Sequence, residues 1–287
     1  MGQLPDAPGC RRVDDALMTT AADRESFQLP IEAAEFYETA FVPAFFAQWA
    51  PILCEAADVA DARHVLDVAC GTGIVARTAA ELVAPVRGRV VGLDLNEAML
   101  TVARRVRPDL EWRQGDAADL PFEADTFDVV LSQMALMFLP DQPRALREMA
   151  RVTEPGGTVA LLVPGRLDAQ AAFAPFVELA AGHAGAEARS LLTTYFACGD
   201  LDALAALVGT CGLTVSSRRT VEGTYRAPSV DAFVTTEVES TPLAERMGEE
   251  AYRRIREDAP EVLAPFTTAD GVVEAPFAAN LVVARRP

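Results

Sequence analysis

His64-Val65-Leu66-Asp67-Val68-Ala69-Cys70-Gly71-Thr72-Gly73 reads as an apolar strand running into a turn with two glycines. Val65, Leu66, Val68 and Ala69 leave neither face of the strand polar, the pattern of a central parallel strand covered by helices on both sides. Glycine at 71 and 73 takes away the Cβ atoms that would hold a ligand off the backbone. The helix expected from Ile74 onward aims its free amides at the same place. The stretch therefore predicts a cradle for a nucleotide-like ligand.

Outward from the turn, strand and helix alternate. The helix at 74–83 is followed by a strand at Arg89–Asp94, then by a helix capped by Asn96 that stops before Pro108. Short apolar runs at Leu110–Gln114 and Phe127–Ser132 read as strands three and four. Asp141–Val152 is an amphipathic helix leading through Pro155-Gly156-Gly157 to a fifth strand at Thr158–Val163. Repeated βα units give an α/β fold, a doubly wound parallel sheet with its ligand at the carboxyl ends of the strands. Upstream, 1–30 reads as a flexible arm. Ile31–Ala57 reads as helical, with Phe36, Tyr37, Phe41, Phe45, Phe46 and Trp49 at helical spacing around Pro43 and Pro51. The organisation expected is a helix and cofactor-binding core over 31–165, a helical cap insertion at 166–198, a core continuation at 199–228, a second helical insertion at 229–270 and a final core strand within 271–287.

The composition narrows the function classes. Across 287 residues the formal charge is −17, which repels nucleic-acid phosphates and anionic lipid and favours a small neutral or cationic partner. No apolar run reaches membrane-spanning length, and the N-terminal stretch lacks a secretory pattern, so the expectation is a cytoplasmic protein. Five scattered cysteines without a CxxC pair, and two histidines, offer no zinc site, so no metal is expected. All 25 basic residues are arginine. Without lysine there is no Schiff base, no P-loop lysine and no Tyr-x-x-x-Lys proton relay.

Gly71-x-Gly73-x-x-Ala76 followed by Asp94 at the end of strand two also fits a dinucleotide fingerprint, and an acid there binds a ribose diol in either setting. Two features weigh against a pyrophosphate. Asp67, read as part of the first loop, puts a carboxylate near the ligand, which suits a cation. Gly115-Asp116-Ala117 offers an acceptor carboxylate beside a backbone amide, a pair able to read an adenine edge. An NAD(P)-dependent oxidoreductase remains the alternative, together with a cyclase or binding protein on the same fold.

The stretches VLDVACGTGIVAR (65–77), VVGLDLNEAML (90–100), GDAADLPFEADTFDVVLSQMALMFLPD (115–141) and ALREMARVTEPGGTVAL (145–161) resemble, in order, the class I S-adenosylmethionine-dependent methyltransferases, particularly the ubiquinone/menaquinone C-methyltransferase-like group. The resemblance implies a Rossmann-like seven-stranded sheet with its last strand antiparallel, S-adenosylmethionine as cofactor and a small-molecule methyl acceptor. It implies that Asp67, Ala69, Cys70, Gly71, Thr72 and Gly73 surround the methionine part and that Asp94 holds the ribose. Gly115, Asp116 and Ala117 would hold adenine, with Leu95 and Met99 packed against it and Ser132 and Gln133 alongside. Tyr37 or a neighbour would close over the methionine carboxylate.

For an activated methyl donor the protein must align the acceptor, exclude water and, where needed, take a proton. His183 in the first insertion has the side chain best matched to proton removal, and Tyr195 is the second candidate; the bland alternatives are a solvated histidine and a packed ring. Phe173, Phe176, Tyr195, Phe196 and Phe233 are expected to wall the acceptor pocket.

Overall fold

A computed structural model describes residues 30–239, 243 and 247–287. The arm expected at 1–30 lies, apart from Pro30, outside the described residues. Seven strands form one sheet: β1 (His64–Val68), β2 (Arg89–Asp94), β3 (Glu111–Gln114), β4 (Phe127–Gln133), β5 (Thr153–Pro164), β6 (Thr214–Ala227) and β7 (Val273–Arg285). Their order is β3-β2-β1-β4-β5-β7-β6. Strands β1 to β5 pair in parallel, and β7 runs antiparallel to both β5 and β6. This is the doubly wound sheet with an antiparallel last strand that the resemblance implied.

The central strands form where both faces are apolar: Val65, Leu66 and Val68 are fully buried, as are Val130, Leu131 and Leu162. Helix α3 (Ile74–Val83) follows β1. Helix α4 (Glu97–Val106) begins where the Asn96 side chain accepts the amides of Ala98 and Met99, and α5 (Gln142–Val152) begins where Asp141 accepts that of Arg144. All the parallel strands end on one edge of the sheet, so their following loops converge there.

The stretch expected as one helix over 31–57 is three. Helix α1 (Ile31–Phe36) passes into a π-helix at Tyr37–Phe46, and α2 (Trp49–Ala56) follows. Pro43 lies inside the π segment, and the Ala47 amide reaches back five residues to the Val42 carbonyl at 2.8 Å. A proline cannot sustain the ordinary helical ladder, because it lacks the donor and its ring crowds the carbonyl one turn back. The Gln48 side chain then hydrogen-bonds both backbone groups of Thr224 in β6, fastening this region to the far side of the sheet.

The insertions are helical. Helix α6 (Phe173–Thr194) is interrupted at Gly185, whose φ is 81°. It packs with α9 (Glu249–Leu263), while α7 (Leu201–Thr210) leads into β6 and α8 (Val230–Glu239) follows it. Strands β6 and β7 are the longest of the sheet, at 14 and 13 residues. β5 begins earlier than expected, taking in Pro155-Gly156-Gly157. Among the described residues no helix is long and apolar enough to cross a membrane.

Candidate functional site

The site is the turn after β1 with what surrounds it. Ala69 has φ 56°, Gly71 55° and Gly73 90°, so the backbone coils left-handed three times in five residues. The Asp94 carboxylate at the end of β2 holds that shape. One oxygen accepts the Gly71 amide at 2.8 Å and the other accepts the Asn96 amide at 2.8 Å. Burial pushes the Asp94 carboxyl above its usual range, and those amides pull it back.

Asp67 is placed differently from its expectation. It is the fourth residue of β1, not part of the loop, and its buried carboxylate accepts the Ala76 amide in the first turn of α3 at 2.9 Å. Burial raises it to about 8, with the nearby Asp94 adding to the rise. It anchors strand to helix directly behind the turn.

The two glycines also separate. A Cβ on Gly71 would meet the Tyr37 ring at 3.7 Å, an ordinary contact on the open side of the turn. A Cβ on Gly73 would come within 2.1 Å of the Trp112 indole. Gly73 therefore makes room for a packed ring from β3. Trp112 within the short third strand was the one local signal of this.

Tyr37 lies over Gly71, stacked on Phe41 with ring centroids 6.0 Å apart and tilted on Phe46 at 4.9 Å. Burial raises its phenol, and Asp94 and Tyr195 raise it further, which puts all three groups in one neighbourhood. A second layer went unread: Glu38 pairs with Arg77 at 2.9 Å, and Arg77 donates to the Thr72 carbonyl at 3.0 Å. A Glu and an Arg far apart in sequence carry no local signal of meeting.

Across the crevice, Ser132 and Gln133 end β4. Gln133 donates to the Phe46 carbonyl at 3.2 Å. Among the described residues, the buried Thr72 Oγ1, Ser132 Oγ, Gln133 Oε1 and Glu38 Oε2 have no hydrogen-bond partner. Such groups cost stability unless something polar satisfies them, and four together at one sheet edge mark a place for a guest.

The remaining expected residues spread around this edge. Cys70 is buried, and burial raises its thiol. Asp116 is exposed and accepts the Ala118 amide at 2.8 Å; Ala117 is buried, and Gly115 donates to the Asp94 carbonyl. Met99 is buried with Ala34 and Val102, whereas Leu95 is 45% exposed beside it in sequence. Tyr195 packs edge-on to Phe138 at 5.3 Å. His183 instead bonds Asp258 of α9 at 2.8 Å, a partly exposed pair between two cap helices. Of the rings expected around an acceptor, Phe233 packs on Phe173 at 5.3 Å and on Phe176 at 5.2 Å, and Phe173 lies 6.1 Å from Phe196.

The profile of a methyltransferase domain matches residues 66–161, from β1 into β5. The 2-phytyl-1,4-naphtoquinone methyltransferase of Thermosynechococcus vestitus is 39% identical over 117 residues, 40% of this chain and 52% of that protein. The chain thus spans about half the length of that curated relative. A putative methyltransferase from Bacillus halodurans superposes with a TM-score of 0.56 at 23% identity, over 83% of this chain and 98% of the other. Phosphoethanolamine N-methyltransferase 2 of Haemonchus contortus, solved with S-adenosyl-L-methionine, superposes at 0.56 and 19% identity, over 92% of this chain and 59% of the other. At these identities the structures speak for the fold. The orphaned polar atoms of Thr72, Ser132 and Gln133 lie within residues 66–161, at the carboxyl ends of β1 and β4.

Proposed function

We propose that the chain transfers a methyl group from S-adenosylmethionine to a small-molecule acceptor. The observation that carries this reading is the cluster of unpartnered buried polar atoms on Thr72, Ser132 and Gln133 beside the Asp94-stapled turn. A ligand with a polar amino-acid end, a ribose and a sulfonium fits a site of hydroxyls, an amide and carboxylates in a chain with no lysine. Each Asp94 oxygen accepts one backbone amide and keeps a second lone pair for a ribose hydroxyl. Asp116 and the Ala117 amide take the adenine edge, with Met99 and Leu95 against its face. Thr72, Gly71 and Tyr37 take the methionine end, and Ser132 and Gln133 line the crevice beside it.

When bound, the sulfonium supplies an activated methyl group. The chain's own residues supply the rest. Asp67 and Asp94 place negative charge behind the cradle, and a cation there draws both carboxyls back toward ionisation. Tyr37 and the π-helix close the crevice from water, and the cap, 166–198 with 229–270, supplies the apolar wall against which an acceptor is aligned. Titrating the purified protein calorimetrically with S-adenosylhomocysteine and, separately, with NADH tests the reading. Binding of the homocysteine compound alone is expected; binding of NADH alone overturns it.

A further inference from the structure

Glu148 and Arg151, both in the 145–161 stretch, lie one turn apart on α5, so their side chains leave the same helix face. Arg151 forks onto Glu148, with Nε and Nη2 each 2.7 Å from a carboxylate oxygen. Together they grip the chain between β3 and β4. Glu148 accepts the Leu120 amide at 2.9 Å, and Arg151 donates to the carbonyls of Leu120 at 3.0 Å and Phe122 at 2.8 Å. From β3, Arg113 donates to the Pro121 carbonyl at 2.9 Å, with its guanidinium 4.9 Å over the Phe122 ring. Leu120, Pro121 and Phe122 are thus each held through the backbone by charged donors or acceptors, in a connection whose polar groups water would otherwise satisfy.

That grip reaches the segment assigned to the adenine. Gly115 donates to the Asp94 carbonyl and Asp119 to the Asp116 carbonyl, each at 3.0 Å, so 115–119 makes a tight turn directly ahead of the clamped residues. The turn closes on Pro121, because a Cβ on Gly115 would stand 3.2 and 3.3 Å from two atoms of the proline ring. One oxygen of the Asp116 carboxylate accepts the Ala118 amide at 2.8 Å, which fixes its direction. Among the described residues no hydrogen bond uses the other. Shifting Leu120–Phe122 would therefore shift the floor on which Asp116 and Ala117 stand. An ion pair on a helix surface adds little to stability by itself, and what distinguishes this one is the loop it orders.

We propose that Glu148 and Arg151 are positioning residues for purine recognition: by clamping Leu120–Phe122 they set the Asp116 carboxylate and the Ala117 amide to accept a 6-amino purine and refuse a 6-oxo one. An adenine edge presents an amino donor beside an acceptor ring nitrogen, the complement of a carboxylate and an amide. A 6-oxo purine presents an acceptor beside an N–H, so both contacts turn repulsive. Such discrimination requires the two groups to be fixed, since a loop free to shift relieves the mismatch. The inference rests on the methyl-transfer reading of the crevice and names what sets its selectivity for the cofactor's base.

The test titrates the full chain calorimetrically with S-adenosylhomocysteine and with S-inosylhomocysteine, its 6-oxo counterpart. The wild type is expected to prefer the adenosyl compound by at least about tenfold. Glu148→Gln turns an N–H toward groups that are themselves donors and opens the clamp. Arg151→Lys keeps a positive charge beside Glu148 but lacks the fork that spans two carbonyls. In both, the preference is expected to fall to about threefold or less, through weaker binding of S-adenosylhomocysteine with S-inosylhomocysteine affinity unchanged. A merely structural role would weaken both ligands alike. Equal losses for the two ligands, a preference that survives in a folded variant, or no preference in the wild type would each overturn the proposal, and the last of these needs no variant to fold. Failure of the underlying reading looks different, because the wild type would then bind neither compound.

Discussion

Replacing Gly73 by alanine asks why the second glycine of the turn is there. Two penalties combine. A φ of 90° is one that alanine adopts at a cost of about 1–2 kcal/mol. The new methyl would stand 2.1, 2.6 and 3.2 Å from three atoms of the Trp112 indole, and overpacking of a formed core costs about 1–3 kcal/mol more. Their sum is about 2–5 kcal/mol, a fall in melting temperature on the order of 10 °C for a chain this size. Trp112→Phe withdraws the outer indole edge, so in that background Gly73→Ala should cost only the backbone part. The double-mutant cycle, read by urea denaturation of the four proteins, is therefore expected to show a coupling of about 1–3 kcal/mol. The single Trp112 change carries its own cost, because the indole also donates to the Arg107 carbonyl at 2.8 Å, but the cycle cancels it. Additive costs would refute the packing argument. A glycine kept for ligand clearance would instead leave melting unchanged and weaken S-adenosylhomocysteine binding in the single variant.

Asp94→Asn keeps an oxygen for one backbone amide but loses a charged acceptor, so S-adenosylhomocysteine affinity should fall by about 1–3 kcal/mol, measured calorimetrically; unchanged affinity would remove Asp94 from the site. Asp94→Ala should lose more, since it also frees the amides of Gly71 and Asn96. Asp67→Asn tests the buried acid by its pH dependence. With its folded pKa raised to about 8, Asp67 binds a proton in the folded state that the unfolded chain has released, so its contribution is full below about pH 4 and is lost as pH rises toward 8. The variant should therefore gain in melting temperature relative to wild type between pH 5 and pH 8 in the ligand-free protein, and a constant difference would contradict the assignment. For His183→Ala, loss of a partly exposed pair with Asp258 should cost less than about 1 kcal/mol and leave methyl-transfer kcat unaltered; a large fall in kcat at unchanged stability would return His183 to the chemistry.

What the sequence disclosed is what depends on neighbours within a few residues. Strands β1 and β4 declared themselves because a strand covered on both faces is largely apolar, and the helix after β2 because Asn96 accepts the amides two and three residues on. The edge strand β6 was harder to bound. Its Ser216, Arg218 and Arg219 are polar, and its length is set by thirteen pairings with β7, sixty or so residues away. The π-helix was out of reach for a related reason. Tyr37, Phe41 and Phe45 repeat as an α-helix would, and only the proline hints that the ladder must widen.

The candidate site divides along the same line. The turn, Asp94 and the Asp116 segment were legible because each sits at a strand end whose position the pattern gives. The acids and bases were not, because their behaviour is decided by surroundings rather than by residue type. His183 attracted attention since an imidazole titrates near neutrality in water, yet it is placed against an exposed aspartate on the outside of the cap.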